Sequence, residues 1–294
     1  MSKFARGVLY LLISVILYSI MPVLIRVLGR GHIPPASQVF LRYIVAFVAA
    51  LVYFIFTKSK FHVKKQDMLL LFFVALFGYA LMNLFYTWAN LDTQIGTVLF
   101  ILNCATVLGP LLGYLFLKEK LNSSKILAML VGLVALFFLF RPGPFATCKI
   151  GAIFAFISAI GSSFYMIGRK KLGNYDSKLI LLANTAVGVV SLGIIAFMTE
   201  SHFYTGGGIT TLRPITWLIT VLFGLDNFIA WLFMTKGYQL VSAGTGSMVM
   251  LGENFLGIMF AFLFFAEVPT VATFIGGALI FIASILVILK GEKA

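Results

Sequence analysis

"GVLYLLISVILYSIMPVLIRVL", residues 7–28, carries a single charge, Arg26, close to its far end. Wound into an α-helix at about 1.5 Å per residue, such a run reaches about 30 Å, the thickness of a bilayer's hydrocarbon core. The same criterion applied outward along the chain finds ten candidate spans: Gly7 to Leu28, Pro35 to Phe56, Met68 to Asn90, Thr93 to Leu117, Ser124 to Phe140, Lys149 to Gly168, Ser177 to Thr199, Pro214 to Thr235, Ser242 to Phe265 and Pro269 to Leu289. A backbone without water must satisfy its own hydrogen bonds, so each span is expected to be helical. Composition agrees, with 61% hydrophobic and 11% charged residues and a mean hydropathy of +1.07, where soluble domains carry about 25% charged residues. The expected class is an all-α polytopic membrane protein of ten transmembrane helices.

Lys3 and Arg6 precede an apolar stretch too long for a signal-peptide core, and no small-x-small cleavage site follows, so this stretch is read as the first span. The net charge of +13 raises nucleic acid as a partner, but the basic residues are scattered among short loops. That distribution suits a bilayer, and no nucleic-acid partner is expected. Sixteen Lys and Arg fall on the side shared by the two termini, against five on the other: Arg26, Arg30, Arg141, Lys149 and Arg213. The positive-inside rule then predicts both termini in the cytoplasm, with the chain in the plasma (inner) membrane. Cys104 and Cys148 make neither a disulfide framework nor a CxxC pair, and neither metal nor cofactor is expected.

The two halves align on themselves. An offset of 148 pairs Thr87 with Thr235, Gly96 with Gly244, Thr97 with Thr245, Leu108 with Leu256, Gly109 with Gly257, Phe116 with Phe264 and Glu119 with Glu267. An offset of 144 pairs Gly7, Ser14, Ser19 and Gly29 with Gly151, Ser158, Ser163 and Gly173. These registers divide the chain into units 1–145 and 146–294, each of five spans. Five is odd, so the second unit enters the membrane from the opposite side, and the expected 5+5 repeat is inverted, as in many secondary transporters.

"KEKL" (Lys118 to Leu121) after the fourth span, its counterpart "AEVP" (Ala266 to Pro269) after the ninth, Pro110 in the fourth span and Pro35 ahead of Arg42 accompany that repeat. With these features the chain resembles the drug/metabolite transporter superfamily, EamA type, over essentially its whole length. The ninth span departs from the fourth by having Ile258 where Pro110 aligns. The resemblance implies a carrier for small metabolites, often an exporter of amino acids or related compounds, with spans one to four and six to nine around a central cavity. Glu119 and Glu267 match the family's glutamate. Both stand at the start of a following helix, where a carboxylate is favoured by the macrodipole and can cap free amides, and they are read as structural.

Depth singles out the remaining polar groups. At 1.5 Å per residue Asn103 lies about 15 Å from the outer end of the fourth span, Asp226 about 18 Å from that of the eighth and Glu253 about 16 Å from the inner end of the ninth. A carboxylate there costs about 2.5 to 3.5 kcal/mol, so each should face the protein or a wet cavity. Glu253 shares its face with Gly246, Met250, Gly257 and Phe260, and Asp226 shares its own with Leu222, Phe223, Ile229 and Ala230, so neither has a partner on its helix. Glu253, with Asn254 beside it, is read as a substrate- or proton-binding group, the alternative being a neutral glutamate that pins its helix to a neighbour. For Asp226 transport chemistry and helix packing stand level. Arg42, about 10 Å from the outer end of its span, is within snorkelling reach of the interface; the other reading is that it binds a substrate carboxylate or pairs with a buried acid. Asn83, Tyr86 and Trp88 either line an entrance or serve as interfacial aromatics and their neighbour. "SAGTGS" (Ser242 to Ser247) is read as helix packing, "TGGG" (Thr205 to Gly208) as a flexible loop, and Pro22 and Pro110 as kinks.

The functional expectation is a secondary carrier, most often an exporter, for a small polar metabolite such as an amino acid or amine-bearing compound, working by alternating access with protons possible as the coupling ion. An uptake carrier or exchanger for a cationic or nucleotide-like metabolite is the alternative. An intramembrane enzyme is disfavoured, since His32, His62 and His202 all fall in loops and neither HExxH nor GxGD occurs. A channel or structural subunit stays open, as does the choice between monomer and homodimer.

Overall fold

The computed structural model describes residues 2–59, 62–105, 150–238, 240, 249–250, 252–269, 271, 274–279 and 281–282, with single or paired positions between 108 and 134. Its helices are α1 (Lys3–Arg30), α2 (Pro35–Phe56), α3 (Lys65–Ala75), a π-helical turn (Leu76–Leu81), α4 (Met82–Asp92), α5 (Ile95–Leu102), α6 (Ile150–Lys171), α7 (Ser177–Thr199), the short α8 (Ser201–Thr205), α9 (Pro214–Tyr238) and α10 (Gly252–Phe265). Six stretches of 20 to 28 residues among them are long and apolar enough to cross a membrane: α1, α2, the continuous Lys65–Asp92 run, and most or all of α6, α7 and α9. The chain is an all-helical, multi-pass membrane protein. The predicted fifth span, the second half of the fourth, most of the tenth, Glu119, Pro110 and the "SAGTGS" stretch lie outside the described residues.

Local chemistry sets the helix ends. Ser2 caps α1 by accepting from the Ala5 amide, Asp176 caps α7 from the Lys178 amide, and Pro35 opens α2, where its missing N–H costs nothing. Two acids cap helices distant in sequence. Glu200 accepts from the Ala36 and Ser37 amides of α2 at 2.8 and 2.7 Å, and Asp92 accepts from the Gly151 amide of α6 at 2.8 Å. Each sets a carboxylate on the positive end of a macrodipole. These contacts gather the α1–α2 turn, the α4–α5 junction, the start of α6 and the α7–α8 junction at one end of the molecule. At the other end the α2–α3 and α6–α7 connections meet, where the Tyr175 hydroxyl donates to Asp67 and accepts from the Lys64 amide. Consecutive long helices therefore cross in alternating directions.

The helices bury small and polar faces and show large apolar ones. On α7, Asn184, Thr185, Gly188 and Leu192 are buried, while Val190, Ile194, Phe197 and Met198 are exposed, the arrangement expected where lipid replaces water. Helix α1 packs on α9, α6 on the α3–π–α4 run, α2 on α7, α1 on α10 and α5 on α6. Serines stitch these contacts in matched pairs. Ser14 Oγ donates to the Ala230 carbonyl at 2.9 Å, and Ser158 Oγ to the Met82 carbonyl at 3.0 Å. Ser19 Oγ donates to the Glu253 carbonyl at 3.2 Å, and Ser163 Oγ to the Ala105 carbonyl at 3.1 Å. In both pairs the donors are offset by 144 and the acceptors by 148, the two registers found in the sequence.

The third span differs from a plain α-helix. Its middle turn, Leu76–Leu81, is π-helical, which interrupts the regular i→i−4 ladder and re-aims the residues that follow. Gly78 in this turn lies against the backbone of Tyr165 on α6, where a Cβ would sit 2.9 Å from the Tyr165 Cα. Pro22 is buried inside α1, and the helix continues through it to Arg30.

Candidate functional site

In the π turn the Tyr79 carbonyl accepts the Met82 amide and side-chain donors as well. It accepts from Asn83 Nδ2 at 2.9 Å and from the Tyr43 hydroxyl at 3.1 Å. Held in this way, Asn83 turns its Oδ1 toward α2 and accepts from Arg42 Nη2 at 3.0 Å. Arg42 is fully buried, with its guanidinium carbon 4.5 Å from the centre of the Phe223 ring of α9. Its Nε and Nη1 find no hydrogen-bond acceptor among the described residues. The guanidinium therefore does not snorkel to the interface, as its depth alone suggested: α2 presents it to α4 and α9, and these neighbours hold it inside. An unsatisfied buried donor costs about 1–3 kcal/mol, and more on a charged group, so such an arrangement needs a further partner or a wet space.

Acidic groups complete the site. Asp226, one turn beyond Phe223 on α9, lies within electrostatic range of Arg42, yet among the described residues the two form no ion pair and Asp226 Oδ2 is buried without a donor. Beside it, Asn227 accepts from the Tyr79 hydroxyl at 3.3 Å, a bond between two residues themselves 148 apart. Glu253 stands in the first turn of α10, with Asn254 next to it and half-buried. Tyr18 of α1 lies within range of both acids, and Tyr86 of α4 lies within range of Glu253 and of Arg42. Arg42, Asn83, Tyr86 and Asp226 thus share one helix crossing, and Glu253 adjoins it through Tyr86 and Tyr18. Asn103 serves locally, its Nδ2 donating to the Leu99 carbonyl at 3.0 Å at the end of α5. Asn83 and Tyr86 are buried, and Trp88 packs on Phe85 and on Phe154 of α6.

Above this crossing, toward the end that holds the α1–α2 turn, a second set of charges ties four segments together. Arg26 of α1 donates through Nε to the Asn90 carbonyl at 2.7 Å, through Nη2 to the Thr93 carbonyl, and through Nη1 to Glu267, with which it is ion-paired. The other Glu267 oxygen accepts from the Ile95 amide at 2.9 Å. Glu267 is therefore a cap, but of α5, across the molecule. The guanidinium carbons of Arg26 and Arg30 lie 5.2 and 4.8 Å from the Phe265 ring centre. A cavity of about 850 Å³ opens here, lined by Arg26, Arg30, His32, Asp92, His202 and Glu267 among others.

The sequence reading missed Tyr18, Tyr79 and Asn227. An internal register could have found Tyr79 and Asn227, since they are counterparts that meet each other. Nothing in the sequence marks Tyr18 apart from the other aromatic residues of α1. Among the described residues no three His, Cys, Asp or Glu converge on a point that could hold a metal ion.

The chain is 24% identical over 286 residues to an uncharacterized transporter of Helicobacter pylori strain J99, covering 96% of this chain and 94% of that one. It is 24% identical over 291 residues to solute carrier family 35 member G1 of Mus musculus, covering 95% and 76%, and 22% identical over 287 residues to the pseudopaline exporter CntI of Pseudomonas aeruginosa strain UCBPP-PA14, covering 95% and 94%. A solved crystal structure shares the fold, with a TM-score of 0.65 at 16% identity over 97% of this chain and 98% of that one. The model of the EamA-like transporter family matches twice, at residues 5–141 and 149–289. The chain belongs to the EamA-like transporter family and is a membrane transporter.

Proposed function

We propose that the chain is a secondary carrier which exports a small polar, amine-bearing metabolite across the plasma (inner) membrane by alternating access, with both termini cytoplasmic and protons as the coupling ion. The observation that carries this reading is the buried Arg42 and its neighbour Asp226, which do not close into an ion pair, with Glu253 reached from them through Tyr18 and Tyr86. Charges retained at such depth face an interior or a wet path and mark substrate or ion pathways. A carboxyl that alternates between a dry and a wet setting can take up a proton in one and release it in the other. Glu253 fills that role, with Asp226 as the acid nearer to Arg42.

A 5+5 inverted repeat of ten spans is the architecture that accompanies this mechanism. The matched serine bonds and the contact between Tyr79 and its own counterpart Asn227 support it. The Arg26–Glu267 latch would then close one end of the path while the other opens. Export is favoured over uptake by the name of one relative, an exporter of pseudopaline. An uptake carrier or exchanger for a cationic or nucleotide-like metabolite is the second reading.

Reconstitution tests the proposal. In proteoliposomes preloaded with unlabelled substrate, uptake of labelled substrate should overshoot its equilibrium level, as an open pore or an enzyme would not allow. An imposed pH gradient should drive flux in the wild type. Glu253→Gln should keep counterflow and lose the pH-driven component; normal pH-driven flux in that variant would remove Glu253 from the coupling step.

A further inference from the structure

The carrier reading leaves one part of the site without a task. Arg42 is buried in the protein interior, among the described residues one of its three nitrogens is bonded, and the group that bonds it is a neutral amide. Asp226, the acid within range, is not ion-paired with it, and its buried Oδ2 is unpartnered among the described residues. A purely architectural arginine would be expected to collapse onto such an acid or onto carbonyls, because each unmade bond to a buried charge is costly.

The surroundings of Arg42 define what could approach it. Phe223 covers one face of the guanidinium at 4.5 Å, and the Tyr43 ring centre lies 5.9 Å away. Asn83 occupies Nη2 and cannot turn to serve the other nitrogens without breaking its bond to the Tyr79 carbonyl. Among the described residues, the hydroxyl-bearing rings within electrostatic range are Tyr43, Tyr79 and Tyr86, and the acid in that range is Asp226. Nη2 has two hydrogens and Asn83 takes one, so the other pairs with Nε or with Nη1 to leave one two-donor edge of the guanidinium plane open among the described residues. A planar carboxylate is the anion whose geometry matches donors arranged in that way.

Resting on the carrier reading above, we propose that Arg42 is the residue that reads the carboxylate of a zwitterionic substrate, while Asp226 takes the ammonium of the same molecule. Arg42 is anchored by Asn83, which the π turn holds, and does not pair with Asp226, so that a ligand carrying both charges satisfies the two groups together. A ligand with only one charge would leave the other group unpaired. In this scheme Glu253, on α10, stays available for the proton.

The experiment uses the purified full-length protein and measures binding by thermal shift and calorimetry for three sets of probes: phenylalanine, its methyl ester and phenethylamine; lysine, its methyl ester and cadaverine; methionine, its methyl ester and 3-(methylthio)propylamine. In at least one set the free acid should bind about tenfold to a hundredfold tighter than both the ester and the amine, the range for leaving a buried charged donor unmatched. Arg42→Gln should erase that preference while binding of the amine persists. Asp226→Asn should keep the preference for acid over ester and lose the wild type's preference for phenylalanine, lysine or methionine over the matching des-amino acids, 3-phenylpropanoate, 6-aminohexanoate and 4-(methylthio)butanoate, which are measured alongside. Equal affinity of acid and ester in every set, binding of none of the free acids, or a preference that survives in Arg42→Gln would each overturn the proposal. The comparison within the wild type needs no variant, so it stands even where Arg42→Gln fails to fold. Counterflow of amines without any dependence on the carboxylate would sink this proposal and leave the carrier intact, whereas absence of counterflow with every solute would sink the carrier itself.

Discussion

Replacing Glu267 by glutamine removes a charge from the latch and little volume. Arg26 would keep its bonds to the Asn90 and Thr93 carbonyls and lose its ion-pair partner, while the Ile95 amide would keep an acceptor through the new amide oxygen. Both side chains of the pair are 16% exposed, between the fully exposed case, worth about 0–1 kcal/mol, and the buried one, where losing a partner costs about 3–5 kcal/mol. An intermediate value of about 2 kcal/mol corresponds to about a thirtyfold change in an equilibrium. If the latch is made only when this end is closed, the variant should raise the population open at this end by up to that factor. The native Cys104, buried at the end of α5, is the reporter. In a Cys148→Ser background, its modification by a membrane-impermeant, positively charged thiosulfonate should accelerate by up to about thirtyfold in Glu267→Gln, the bound set by the same equilibrium. Arg26→Gln should act on the same bond, so the double variant should fall well short of the summed effects. Unchanged labelling in Glu267→Gln, or strictly additive single effects, would refute the latch.

Three other outcomes can be checked alongside. Gly188→Ala places a Cβ 2.3 Å from the Tyr43 ring, whose hydroxyl holds the Tyr79 carbonyl; overpacking of this kind costs about 1–3 kcal/mol and should appear as a lower melting temperature with weaker substrate binding. Glu200→Ala strips the cap from two amides of α2 and from the Ser37 hydroxyl, and a loss of about 1–2 kcal/mol should be visible in thermal unfolding, whereas an unchanged melting curve would mean that water replaces the cap without cost. By the two sequence registers, Lys170 and Glu119 are the counterparts of Arg26 and Glu267. Exchanging them as Lys170→Glu with Glu119→Lys should restore flux that either single change abolishes, and failure of that rescue would deny a second latch of the same kind.

Much of the fold was legible in the sequence because the bilayer imposes its thickness on every crossing segment. Runs such as residues 7–28 and 35–56 are delimited by that requirement before any neighbour is known, and α1, α2, α7 and α9 begin within a few residues of the predicted edges. The registers of 144 and 148 were equally legible, since they are properties of residue spacing. What spacing could not supply was the π turn at Leu76–Leu81: its residues include Gly78 and Tyr79 but no proline, and a widened turn is selected by what packs against it, here the backbone of Tyr165.

The sequence by itself determined that the protein is a bundle of apolar helices with Asp226, Glu253 and Arg42 placed within the membrane, since length, hydropathy and depth are local quantities. Only the tertiary structure decided which of these groups meet. Whether Arg42 reaches water or turns inward depends on Phe223 and Asn83, which lie 181 and 41 positions away in the chain. Whether Glu267 caps its own helix or ties α1 to α5 depends on Arg26 and Ile95, 241 and 172 positions away. Partners are chosen across helix interfaces, where distance in space has no counterpart in the order of residues.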